Sequence, residues 1–72
     1  MQNMVVILSN KINKELLTHY NEINELKKYV EDLLSSVPNA DDNSKNLRET
    51  WTALDDSLRH LNYALTAIQE VE

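Results

Sequence analysis

The sequence has no cysteine, no glycine and a single proline. Without thiols there is neither a disulfide framework nor a thiolate zinc site to reinforce a small fold. Without glycine, turns at positive φ, phosphate-cradling loops and barrel corners all lose their usual residue. Phenylalanine is absent too, and the densest apolar run, MVVIL at 4–8, falls well short of the roughly 20 residues that span a bilayer. It lacks both a basic stretch before it and a small-residue cleavage pattern after it, so it reads as neither a signal peptide nor a membrane anchor. Positive charge is also in short supply. Seven Lys and Arg against twelve Asp and Glu give a formal net charge of -5, which repels a phosphate backbone and offers no cationic patch to anionic lipid. The expectation is no nucleic-acid partner and no stable membrane insertion.

What is present is helical periodicity. Ile12, Leu16, His19, Ile23, Leu26, Val30, Leu33 and Val37 follow one another at alternating spacings of four and three, and all but His19 are apolar. Leu17, Tyr20, Tyr29 and Leu34 widen that stripe, while Lys11, Glu15, Glu22, Glu25, Lys28 and Asp32 are expected on the opposite side. Lys11/Glu15, Lys27/Glu31 and Lys28/Asp32 stand at helix-neighbour spacing, worth only about 0.2–0.5 kcal/mol each. A second stripe repeats the pattern through Leu47, Trp51, Leu54, Leu58, Leu61, Leu65 and Ile68, flanked by the smaller Ala53, Ser57, Ala64, Ala67 and Val71. Small flanking side chains let another helix approach closely.

Between the stripes, SSVPNADDNS at 35–44 breaks the helix. Pro38 lacks an amide donor and restricts Val37, and the surrounding Ser, Asn and Asp side chains compete for backbone hydrogen bonds. Asn39 followed by Asp42 resembles a capping box, and Ser44 is an alternative cap for a later start. The expected architecture is all-α: one antiparallel two-helix hairpin, coiled-coil-like, spanning 1–72 as a single domain, with helices near 4–36 and 41–71 and a polar turn around 37–43. The β-branched residues Val5, Val6 and Ile7 either extend the first helix or form an irregular arm.

A single domain of this size buries only about 60% of the surface its unfolded chain exposes. Two helices packed together also leave the outer parts of wide stripes open. Covering a further 600 Å² or so would contribute on the order of 15 kcal/mol before ordering costs. The hairpin is therefore expected to be completed by a partner or by self-association, with a homodimer possible when it is alone. Core candidates are Ile12, Leu16, Ile23, Leu26, Val30, Leu33, Leu54, Leu58, Leu61, Leu65 and Ile68. Partner-contact candidates are Leu17, Tyr20, Tyr29, Trp51, Tyr63, Ala64 and Ala67, chosen because aromatics supply large contact area at low entropy cost and alanines permit close approach.

Chemistry-bearing groups are sparse. His19 lies on an apolar seam and His60 beside Arg59 and one turn from Asp56, and both read as structural histidines. Asp55 and Asp56 diverge by roughly 100° around a helix and do not face one another as acid and base should. Asp41–Ser44 lacks the turn glycine and bidentate glutamate of a calcium loop. No nucleophile is paired with a base, so the expectation is a protein that is not an enzyme, without cofactor or metal.

The run ETWTALDDSLRHLNYALTAI at 49–68, preceded by a polar loop and an equally long first helix, resembles the small helical-hairpin co-chaperones of the needle subunit in bacterial type III secretion. The likeness rests on Trp51, Leu54, Leu58, Leu61, Tyr63 and Ala64, is strongest over about 40–70, and covers the first helix only in length and periodicity. It implies a non-enzymatic chaperone role in the bacterial cytoplasm, in protein transport and virulence. The chain would stabilise a larger tetratricopeptide-like helical chaperone and, through it, keep the needle subunit soluble and unpolymerised before export. Two alternatives stand beside it: the needle subunit itself, and a self-associating helical regulatory or antitoxin-like module. Against the needle subunit, VPNADD lacks the double-proline turn, LNYALTAIQE has fewer β-branched residues, and MVVIL is an apolar opening.

Overall fold

The computed structural model describes residues 3–71, and Met1, Gln2 and Glu72 of the expected single domain lie outside them. Helix α1 runs Met4–Ser36 and α2 runs Asp42–Gln69. They pack side by side into a rod with extents of 60 × 14 × 11 Å. This is the expected all-α antiparallel hairpin. The β-branched start belongs to α1, with Asn3 as its N-cap: the Asn3 side chain accepts from the Val5 amide at 2.9 Å.

The turn follows from Pro38. Val37 is extended, as the residue before a proline is driven to be, and α1 stops there. The cap of α2 is neither Asn39 nor Ser44 but Asp41, whose carboxylate accepts from the Asn43 amide at 2.7 Å. Ser44 lies in the first turn of α2, only 1% exposed, and its hydroxyl accepts from Arg48 at 2.9 Å. A short side chain there admits the turn end of α1 against α2.

The α2 stripe is the one expected: Leu58 and Leu65 are buried, and Leu47, Trp51, Leu54, Leu61 and Ile68 are half-buried. On α1 the seam is rotated. The covered positions are Val6, Ser9, Asn13, Leu16, Tyr20, Ile23, Lys27, Val30, Leu34 and Val37, which again alternate by three and four, with Asn24 half-buried on the flank beside them. Leu16, Ile23 and Val30 are shared with the expected core, but Ile12, Leu26 and Leu33 are not in it: they are 46%, 51% and 53% exposed. Two columns flank the shared one. The column of 12, 19, 26 and 33 is the more apolar, whereas that of 13, 20, 27 and 34 carries Asn13 and Lys27, which find polar partners on α2. Turning α1 toward the second column satisfies those groups and leaves Ile12, Leu26 and Leu33 outside.

Asn13 already stands opposite Gln69, the last residue of α2. The beginning of α1 therefore runs past the final turn of α2, and Met4, Val5, Ile7 and Leu8 are exposed there.

Burial separates two classes of leucine. Leu58→Ala or Leu65→Ala is expected to cost about 2–5 kcal/mol, whereas Leu26→Ala or Leu33→Ala should change the stability of a single hairpin, measured at a concentration where it is monomeric, by less than about 1 kcal/mol. Urea unfolding followed by circular dichroism measures both.

Candidate interaction surface

The hairpin has two unlike faces. One is stitched by polar cross-links. Lys27 donates to Asp55 at 2.7 Å, Trp51 Nε1 donates to Glu31 at 2.9 Å, and Gln69 donates to Asn13 at 3.3 Å. All three share one register, each step along α1 being matched by an equal step back along α2. The Lys27 ammonium also sits 4.4 Å from the centroid of the Trp51 ring, a cation–π contact. Arg59, one helical turn away, holds the other Asp55 oxygen at 3.0 Å. Lys27 thus reaches across to α2, and Glu31, its expected helix neighbour, takes the indole instead.

This arrangement holds the Asp55 carboxyl below the usual aspartate range. The largest cause is the hydrogen bond from Lys27; desolvation opposes it, and the charges of Lys27 and Arg59 add to it. Both side chains of the Lys27–Asp55 pair are about four-fifths covered, at 19% and 20% exposed, so the pair is screened less than an open surface bridge.

The opposite face is open. Its α1 ridge reads Val5, Leu8, Ile12, Glu15, His19, Glu22, Leu26, Tyr29 and Leu33, again at alternating threes and fours, and every one of these side chains is exposed. The ridge is apolar at both ends and polar in the middle, where His19 lies 3.8 Å from Glu22. The parallel ridge on α2 is small: Thr50, Ala53, Ser57, His60, Ala64 and Ala67. A shallow groove lined by His19, Ile23, Ser57, His60 and Leu61 runs between the ridges and places both on the same side of the hairpin. His60 Nδ1 contacts the Asp56 carbonyl at 2.8 Å, and among the described residues its other ring nitrogen has no hydrogen-bond partner.

The contact candidates distribute unevenly over these faces. Tyr29, Ala64 and Ala67 belong to the open face, with Tyr29 and Ala67 exposed and Ala64 half-buried. Tyr20 and Trp51 are half-buried in the hairpin seam. Leu17 is exposed on the flank of α1 that carries Asn24 and Glu31, and Tyr63, 74% exposed, projects from α2 away from both seams. Sequence reasoning missed the α1 ridge as a surface because it assigned Ile12, Leu26 and Leu33 to the core. It also missed that the two histidines border one groove, for which their separate stripes gave no signal.

Among the described residues no cluster of three or more His, Cys, Asp or Glu is placed to hold a metal ion, and no helix is long and apolar enough to cross a membrane. No family model, curated protein or solved structure matches the chain.

The lowered Asp55 value fixes a sign. The folded state holds this proton less tightly than the unfolded chain, so the pair stabilises the fold above the ordinary aspartate range, and that stabilisation disappears as pH falls through the depressed value. Asp55→Asn is therefore expected to unfold at lower urea than the unaltered chain at pH 7. The gap should close on acidification toward pH ~2, below the ordinary aspartate value of about 3.9. A gap that persists unchanged at the acid end contradicts this account of the pair.

Proposed function

We propose that this chain acts by binding and not by turnover, as a helical hairpin whose open face is covered by another helical polypeptide. The observation that carries this reading is the α1 ridge: Leu8, Ile12, Leu26, Tyr29 and Leu33 are all exposed at helical spacing along one line. Apolar side chains grouped in this way at the two ends of one ridge are costly to leave in water and mark a surface that is covered in use. An apolar ridge beside a small one suits a neighbouring helix, which can lie against the bulky side chains and approach closely over the alanines.

The specific form of the proposal follows from the resemblance carried by Trp51, Leu54, Leu58, Leu61, Tyr63 and Ala64. The chain steadies a larger tetratricopeptide-like chaperone in the bacterial cytoplasm, and the pair keeps the type III secretion needle subunit unpolymerised before export. Trp51 and the leucines then act mainly within the hairpin, while the outer ridge of α1 meets the chaperone. The mechanism is burial: an apolar face stabilises its partner by being removed from water together with it.

Co-expression of the tagged chain with neighbouring open reading frames, followed by size exclusion and identification of what is retained, tests the proposal. A one-to-one complex with a larger helical protein is expected. The double variant Leu26→Glu/Leu33→Glu should lose that complex while keeping its helical circular dichroism, since both positions are exposed in the hairpin. Long filaments at high concentration, or unchanged capture by the variant, overturn the proposal.

A further inference from the structure

We infer that, when no other partner is bound, a second copy of this chain covers the open face, with α1 of one copy lying along α2 of the other about a two-fold axis parallel to the helices. The inference rests on the reading of this face as a protein-binding surface and adds a particular occupant and register.

The face is complementary to itself. Its two ridges differ in bulk, Leu26 and Tyr29 on α1 against Ala53 and Ala64 on α2. An axis parallel to the helices lays each bulky ridge over the small ridge of the other copy, which keeps helix spacing even and fills the groove. An axis perpendicular to the helices stacks bulky on bulky and holds the small ridges apart.

Register is not adjustable in this arrangement. A two-fold parallel to the helices leaves every residue at its own level, and the levels are those set by Lys27 with Asp55, Glu31 with Trp51 and Asn13 with Gln69. The same matching brings Tyr29 level with Ala53 of the second copy, and Glu22 level with its His60. The polar middle of the α1 ridge thereby meets the one ionisable group on the α2 ridge. His60 has its outer ring nitrogen available to Glu22, and His19 stands beside it in the groove. A face roughly 40 Å long and two helices wide offers on the order of 800 Å², about the area each partner contributes to a standard stable interface.

The chain's lack of cysteine makes the register directly readable. Tyr29→Cys and Ala53→Cys, oxidised separately, are expected to remain mostly unlinked, whereas an equal mixture should form a disulfide-linked pair. Sedimentation of the unaltered chain should show a dimer. Ala53→Trp, at an exposed position, should shift it to monomer with unchanged circular dichroism, and tenfold or greater weakening is the expected reading. A monomer at 100 μM overturns the inference. A dimer in which Tyr29→Cys links to itself, or in which Ile12→Cys links to Tyr29→Cys, overturns the proposed orientation. The two proposals fail separately. A monomeric chain that still forms the one-to-one complex with a larger helical protein defeats the dimer and leaves the proposed function standing. A dimer that captures no such protein does the reverse.

Discussion

Lys27, reaching across the seam to Asp55, sets how α1 is turned against α2. A lysine facing a helix–helix seam is costly unless its ammonium is paired, and here it lies against Asp55 and the ring of Trp51. A polar residue in such a seam sacrifices some stability for register and rotation. The hairpin has few other means of setting them, because Val30, Leu58 and Leu65 are its only buried hydrophobic residues among those described. Leucines at regular spacing tolerate a slip of one turn; an ammonium that must find one carboxylate does not. By turning α1 so that Lys27, Asn13 and Tyr20 face α2, this arrangement also turns Ile12, Leu26 and Leu33 outward.

The two faces divide the tasks. The cross-linked face is satisfied within the chain, with Glu31, Trp51, Lys27, Asp55, Asn13 and Gln69 answering one another. The open face carries the apolar area and few internal contacts. Any binding partner is therefore offered a surface whose conformation is held from behind, which limits the ordering cost on association. The small α2 ridge contributes through what it omits, since Ala53 and Ala67 leave room that larger residues would fill.

Much of the fold was legible in the residues, for reasons that differ between the helices. In α2 one pair of columns holds nearly all the large apolar side chains, so the seam from Leu47 to Ile68 has no competitor. In α1 two columns compete beside Leu16, Ile23 and Val30, and apolar content alone favours that of Ile12, Leu26 and Leu33. What reverses the choice is a set of polar contacts between residues 20, 28 and 56 positions apart, and local spacing carries no trace of them. Pro38 locates the turn, but the several capping-type side chains after it favour Asn39 or Ser44 by spacing alone, whereas it is Asp41 that accepts from Asn43. The candidate surface was less accessible still. Tyr29, Ala64 and Ala67 could be found from aromatic area and small flanking side chains, whereas the main ridge was concealed by its likeness to a core.

The single short turn has a consequence for how the rod moves. Pairings near Val37 and Ser44 close a small loop, while the Asn13–Gln69 contact joins residues 56 apart, and closure entropy rises with that separation. The helices are thus most firmly joined at the hinge and most easily parted at the opposite tip, where Met4 to Leu8 already extend beyond α2. Fraying begins at that tip and travels toward Pro38, like the arms of tweezers opening from their points.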